Sequence, residues 1–319
     1  MGRSESTRGG VRSRLSAAYR NNTAILRWLL CAPLALAGGP ALAGGALPTG
    51  GQYTAGQGTI AGSANALTIN QSSRHGIINW QGFSIGAGNR VQFNNGSGAT
   101  LNRVTGKNLS RIDGSLSATG SVYLINPQGV VVGPGGKVVT NGSFVASTRD
   151  VSDSAFMSGG ALAASGTSNG DVVNAGTITS AAGDAILVGR SVKNTGNISA
   201  PNGTAVMAAG NEILLQPVGG DSRIAVSGGK GDVTNAGTVK AAQAALASAG
   251  GNVYALVENN GGINATGTAT IDGHVWLTAG GTAEVPGKVT AANADGAGGT
   301  VTARAQNINV SGTVDTSAS

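Results

Sequence analysis

"GDAILVGRSVKNTGNI", Gly183–Ile198, holds two patterns that recur down the chain. The first is Gly-x-φ-x-φ-x-small, where φ is apolar. It returns as "GTAVMAA" from Gly203, "GNVYALV" from Gly251, "GHVWLTA" from Gly273 and "GTVTARA" from Gly299, with "GSVYLIN" from Gly120 as an earlier relative. Alternate residues of each copy share a face: Val275, Leu277 and Ala279 in one, Val301, Ala303 and Ala305 in another. A period of two is the signature of a strand. The second pattern is φ-x-N-x-G-x-φ. It reads "VVNAGTI" from Val172, "VKNTGNI" from Val192 and "VTNAGTV" from Val233, and more loosely "INATGTA" from Ile263 and "INVSGTV" from Ile308. Asn and Gly tolerate positive φ, so each copy predicts two short strands meeting at a bend. Asn174, Asn194 and Asn235 stand 20 and 41 residues apart, close to one and two repeats.

Short strands joined by Gly and Asn corners build either an antiparallel sandwich or barrel, or a solenoid of stacked coils. The recurring inward set of Val, Ile, Leu and Ala favours the solenoid. One coil cannot bury its apolar face alone, but a stack buries a continuous column. Corner Asn side chains are then placed to stack between coils and satisfy backbone groups. About a dozen coils are expected from residue 44 to the end. Composition agrees: 55 glycines, 11% charged residues and 3% aromatics, with apolar residues recurring throughout, which a disordered chain lacks. Leucine-rich and nonapeptide calcium repeats do not fit, for there is neither an L-x-x-L-x-L register nor GGxGxD. Seven of the nine aromatics after residue 43 precede Met157, so residues 44–150 read as a specialised cap on a more regular shaft, 151–319.

Most of the formal net charge of +6 sits in the first 43 residues, where six arginines from Arg3 to Arg27 face Glu5 alone. The remainder is near neutral, which argues against a nucleic-acid partner. That basic leader precedes "AILRWLLCAPLALA" and the small-residue site Ala41–Ala43. It reads as an extended secretory signal peptide over 1–43, with a mature start at Gly44. No later run is long and apolar enough for a membrane span, so stable membrane insertion is not expected. The single cysteine, Cys31, lies in the leader. The mature chain therefore has no disulfide framework or thiolate site.

Ile125–Val138, "INPQGVVVGPGGKV", places two turns around a run of valines. Asn126, Pro127 and Gly129 occupy positions i, i+1 and i+3 of a type I turn. Tyr123–Ile125 and Val130–Val132 are expected to pair as its flanking strands. Gly133–Gly136 makes a second corner. It lacks the spacing, and the Ser or Thr after Lys137, of a phosphate loop.

Four segments occur in order: "INQSSRHGIINWQGFSIGAGNRVQFNN" (Ile69–Asn95), "LNRVTG" (Leu101–Gly106), "SRIDGSLSATGSVYLINPQGVVVGPGGKV" (Ser110–Val138) and "FVAST" (Phe144–Thr148). Together they resemble the N-terminal secretion (TPS, haemagglutination activity) domain of two-partner-secretion exoproteins. This is the filamentous haemagglutinin family, and the likeness is greatest to high-molecular-weight adhesins and haem–haemopexin-binding exoproteins. The resemblance runs over roughly residues 46–290. It implies an all-β fold, a right-handed parallel β-helix with an N-terminal cap, and export in two steps from a Gram-negative cell. An outer-membrane β-barrel transporter of the TpsB type, with periplasmic domains, would recognise the secretion domain and pass the chain to the cell surface or medium. The family's N-P-N-G-[IV] motif maps onto Asn126, Pro127, Gln128, Gly129 and Val130, with Gln128 in place of the usual Asn. Its N-P-N-L motif is absent, and the corresponding stretch reads "NQSSRHGIINW". A host cell surface, a glycan or a haem-carrier protein is the further partner this implies.

Catalysis is poorly supported by the residues. His75 and His274 lie far apart, and nothing marks a triad. Asp113, Asp171, Asp184, Asp232 and Asp272 mostly sit beside Gly and read as solvated corners. A β-helical polysaccharide-active enzyme is the leading alternative, but it would need carboxylates and a basic residue gathered on one sheet. A contact-dependent toxin stalk lacking its effector domain is the other alternative; the sequence ends at "VSGTVDTSAS" inside an apparent repeat, as expected of a truncated shaft from a longer reading frame or a shortened relic. No enzyme activity, cofactor or metal is expected. Asn-x-Ser/Thr at Asn70, Asn108, Asn197, Asn202 and Asn264 follows from composition as readily as from modification.

Overall fold

The computed structural model describes residues 46–159, 163–215, 224–256 and 262–318. The expected leader, 1–43, with Cys31, lies outside them. From residue 66 the chain winds as a parallel β-helix. Each turn lays one strand on each of three faces, and each strand pairs in parallel with the strands one turn before and after. The first face runs from Ala66–Gln71 through Lys137–Thr140 to Thr313–Asp315. The second runs from His75–Trp80 to Thr300–Arg304. The third runs from Ser110–Ile112 to Asn307–Val310, with Ile85 bridging to Ile112 in the turn below.

Nine turns close, and Thr313–Asp315 opens a tenth, fewer than the dozen that repeat spacing implies. Two excursions take up the difference. After Phe144–Ser147 the chain leaves the helix for strand Asp150–Val151, a short α-helix Asp153–Ser158 and strand Ala163–Ser165, then returns at Val172–Asn174. After Asn197–Ala209 it forms a hairpin, Glu212–Leu215 with Ile224–Ser227, before Val233–Asn235. The strands of both excursions join in one antiparallel sheet. The 41-residue step from Asn194 to Asn235 is therefore one turn carrying a hairpin, and the two residues sit on adjacent rungs.

The interior alternation expected from the first pattern is present: Val275, Leu277 and Ala279 point into the core, with Val301, Ala303 and Ala305 packed on it. Trp80, Phe83 and Phe93 fill the first turns. The rings of Trp80 and Phe83 meet edge-on at 5.5 Å, and Phe83 stacks on Phe93 at 6.5 Å. Further along, the interior narrows to Ala200, Ala205, Ala241 and Ala244. Large side chains at the start and small ones later fit a column closed below and tightly stacked above. Two antiparallel strands close that lower end: Gln52–Ala55 on His75–Trp80, and Gly58–Gly62 on Ala66–Gln71. They cover backbone edges that would otherwise template aggregation. The stack itself passes residue 150 without a break, since Phe144–Ser147 pairs directly with Ala185–Gly189. What changes there is the outer covering.

That covering explains why second-face strands are apolar on both sides. Every residue of Ala185–Gly189 is buried. Outward, Ile77, Leu101, Tyr123, Val145, Ile186 and Val206 stand in register on successive rungs. The helix of the first excursion covers the lower end. Ser152 caps it by accepting from the Ala155 N–H, Gly159 ends it at φ 68°, and Phe156 packs edge-on against Tyr123 at 5.2 Å and His75 at 5.6 Å. The hairpin of the second covers the upper end with Ile213 and Ile224. A strand buried on both faces loses the polar half of its alternation.

The Asn corners stack as expected over three rungs. Asn174 Nδ2 donates to Asn194 Oδ1 at 2.8 Å, and Asn194 Nδ2 to Asn235 Oδ1 at 2.7 Å. Asn235 Nδ2 turns back to the Gly237 carbonyl at 3.1 Å. The ladder stops at Val132 below and Ala255 above. The looser copies do not extend it: Asn264 lies on the first face, and Val310, not Asn309, continues the rung position of Val285. No helix among the described residues is long and apolar enough to cross a membrane.

Candidate functional site

Asn126–Val130 forms the corner at which the third turn passes from the second face to the third. Asn126 is wholly buried and builds it. Its Nδ2 donates to the Asn108 carbonyl and to Ser110 Oγ, both at 2.9 Å, and its Oδ1 accepts from the Gln128 N–H at 2.9 Å. The Gly129 N–H closes the i→i+3 turn on the Asn126 carbonyl at 3.0 Å. Gly129 has φ 121°, where a side chain would be strained, and a Cβ there would lie 3.1 Å from the Asp171 carbonyl. Val130 is buried in the core. The second corner closes in the same way, Gly136 N–H to Gly133 carbonyl, at 2.8 Å.

The expected pairing of Tyr123–Ile125 with Val130–Val132 does not occur. Ser121–Ile125 pairs with Ala99–Val104 and Phe144–Ser147, while Val130–Val132 pairs with Ser110–Ile112 and Val172–Asn174. In a coil the turn redirects the chain onto the next face rather than reversing it. The backbone groups that a hairpin would use are committed to the rungs above and below.

Of the five motif residues, Pro127 and Gln128 face solvent. Gln128 enters the turn through its N–H, so the buried Asn126 side chain, not the side chain at 128, sets the geometry. Beside them Leu109, on the rung below, is 47% exposed, and its Cβ would lie 3.8 Å from a Cβ at Gly129. Lys107 and Asn108 are exposed on the same rung. The rung above holds the corner in place: the Asp171 carbonyl accepts from Val130 N–H at 3.1 Å, and Arg190 pairs with Asp171 at 2.9 Å. The result is a small proud patch, Leu109, Pro127 and Gln128, on a corner fixed from beneath.

Arg149, four residues after the end of "FV" in "FVAST", carries a role that the pattern reading missed. It is 1% exposed and meets only neutral acceptors. Nε donates to the Gly210 carbonyl at 2.6 Å, and Nη1 to the Ser168 carbonyl and Oγ at 2.8 Å each. One guanidinium thereby ties both excursions to the fourth turn. Burial pulls its pKa below the ordinary arginine value; Arg190 acts in the same direction and Asp171 against it. Arg103 secures the first excursion from outside, at 2.9 Å from Asp150 and 2.7 Å from Asp153. The signals for this excursion were present as an Arg149-Asp150 pair ending the chargeless run 138–148 and as Ser152-Asp153 ahead of an apolar triplet ending near Gly159.

The other chemistry-bearing residues do not converge. His75 lies beside the short helix, with Nδ1 3.0 Å from the Met157 carbonyl. His274 lies on the eighth turn, stacked on Trp276 at 3.8 Å and 2.8 Å from Thr302 Oγ1. Among the described residues no three His, Cys, Asp or Glu side chains gather as a metal site would require.

The model of the TPS secretion domain family matches residues 44–318. Two heme/hemopexin-binding proteins of Haemophilus influenzae are 38% identical over 98 residues and 40% identical over 91. Those spans are 30% and 28% of this chain but only 11% and 10% of the relatives' length. The crystal structure of the HMW1 secretion domain from Haemophilus influenzae superposes with a TM-score of 0.72 at 27% identity, covering 84% of this chain and 73% of that one.

Proposed function

The chain belongs to the TPS secretion domain family, and on that premise we propose that it is an exoprotein secreted by the two-partner route. Residues 1–43 act as the export signal. Residues 44–150 are recognised by an outer-membrane β-barrel transporter with periplasmic domains. Residues 151–319 serve as the shaft of a surface-exposed or released adhesin. The work is recognition, not catalysis.

The observation that carries this reading is the division of labour at the Asn126–Val130 corner. Asn126, Gly129 and Val130 are spent on holding the turn; Pro127 presets its backbone at i+1 but turns its ring outward, and the Gln128 and Leu109 side chains are held out to solvent without a hydrogen bond or core contact that would select them. Loops fixed on a rigid scaffold are where binding residues concentrate, and a partner domain can also add a strand to an exposed edge. Because Asn126 is buried, a variant there would confound folding with recognition. The informative variant is Leu109→Ser, Pro127→Ala and Gln128→Ala together, co-expressed with the transporter. The expected result is loss of the chain from the medium and its accumulation in the periplasm, with the purified protein's unfolding free energy lowered by no more than about 1 kcal/mol, the most that losing the turn proline costs. Undiminished secretion of that variant would remove the corner from the recognition surface.

A further inference from the structure

The second face is covered by the excursions, but the first face is bare, and its outward side chains are mostly polar. The polar ones are hydroxyl and amide groups, such as Thr177, Thr179 and Ser199, interrupted by four cations: Arg90, Lys137, Lys240 and Lys288. All four cations are exposed, and none forms an ion pair among the described residues. The one carboxylate on this face is Asp315, at the last rung and diagonal to Lys288. The strand register fixes the cation spacing. Lys137 is two rungs above Arg90, by way of Ser115. Lys240 is on the third rung above Lys137, and Lys288 is two rungs above Lys240. Along the axis, at about 4.8 Å per rung, these steps are roughly 10, 14 and 10 Å, some 34 Å in all; Arg90, Lys137 and Lys288 share one outward column, and Lys240 stands about 7 Å to its side, two residues along its strand.

We propose that this face binds an extended acidic polysaccharide lying along the helix axis. The proposal does not depend on the transporter reading. A polymer with one charge per disaccharide suits the two two-rung steps, roughly 10 Å each, and its flexibility spans the three-rung step between them. The hydroxyl and amide side chains between the cations supply hydrogen-bond partners for sugar hydroxyls. Nucleic acid fits less well. A strand carries a phosphate about every 3.4 Å, so most would go unmatched, and the face offers no aromatic platform for bases. An anionic membrane fits less well too, because the face has no large apolar side chain to insert; Val139, its one aliphatic side chain of any size, is half-buried.

The test is binding of fluorescent hyaluronan oligosaccharides, which carry one carboxylate per disaccharide, to the whole secreted chain at low salt. The comparison arms are neutral dextran, oligo-dT and anionic lipid vesicles. Saturable binding is expected to hyaluronan and not to dextran, weakening as salt is raised. Lys137→Gln, Lys240→Gln and Lys288→Gln combined should weaken it at least tenfold with an unchanged circular dichroism spectrum. Lys193→Gln on the third face should leave it unaltered. Absence of hyaluronan binding, equal binding of dextran, tighter binding of oligo-dT or vesicles, or an unaffected triple variant would each overturn the proposal.

Discussion

Asn194→Ala is the sharpest probe of the corner ladder. Asn194 is fully buried and central, and its side chain makes three hydrogen bonds: to Asn235 Oδ1 at 2.7 Å, from Asn174 Nδ2 at 2.8 Å and from the Gly196 N–H at 3.2 Å. Truncation does not orphan all three partners. Asn174 Nδ2 keeps the Asn197 carbonyl at 3.2 Å, and Gly196 N–H keeps the Asn174 carbonyl at 3.2 Å. Asn235 Oδ1 loses its donor inside the column. Two hydrogen bonds with fallback partners cost about 0.5–1 kcal/mol each, and a buried orphan acceptor about 1–3 kcal/mol, so roughly 2–5 kcal/mol is expected. The measurement is urea unfolding followed by far-ultraviolet circular dichroism and by tryptophan fluorescence. Trp80 and Trp276 report opposite ends of the stack, so divergence of the two probes would reveal lost cooperativity. Lys193→Ala, exposed on the same strand, is the control and should stay within about 0.5 kcal/mol. Asn235→Ala combined with Asn194→Ala should cost about 1–2 kcal/mol less than the two changes added, because both remove the same bond. If Asn194→Ala behaves like Lys193→Ala, corner stability comes from backbone pairing alone and the ladder argument fails.

Two other perturbations follow from single side chains. Arg149→Lys should destabilise more than Arg149→Met, because lysine keeps the buried charge without the fork that reaches both the Gly210 and Ser168 carbonyls; Arg149→Met should cost about 2–4 kcal/mol by urea midpoint, and a tolerated lysine would contradict the latch. Burial holds the His274 pKa below the ordinary value, so the unfolded chain takes up its proton first and stability falls as pH drops below about 6.5; His274→Gln should flatten that decline in melting temperature between pH 7 and pH 5, and an unchanged slope would exclude His274 as its source.

The solenoid was legible because its evidence is local. Gly-x-φ-x-φ and φ-x-N-x-G read strand and corner within seven residues, and the interior set and three-rung Asn ladder followed. The 41-residue interval was misjudged for the complementary reason. A hairpin inserted between Gly210 and Val233 keeps the rung register while doubling the sequence step, and no local pattern distinguishes that from two coils. The flanking strands of Asn126–Gly129 were paired with each other because a turn of that composition also closes hairpins. The choice between the two outcomes rests on partners such as Ser110–Ile112 and Phe144–Ser147, which no sequence window around the turn contains. Arg149 and Phe156 were opaque in the same way, since their meaning lies in residues far along the chain.

That distance has a kinetic consequence. His75 on the first turn meets the Met157 carbonyl 82 residues later, and Arg149 on the fourth meets the Gly210 carbonyl 61 residues later. Contacts of such separation raise contact order and slow closure. The early turns can pair rung by rung as they appear, yet their outer surface is completed only in retrospect, first when residues near 157 arrive and again when residues near 213 do. A chain delivered end-first would thus pass through two defined waypoints. At each, apolar side chains such as Leu101 or Ile186 remain wetted until the covering segment catches up.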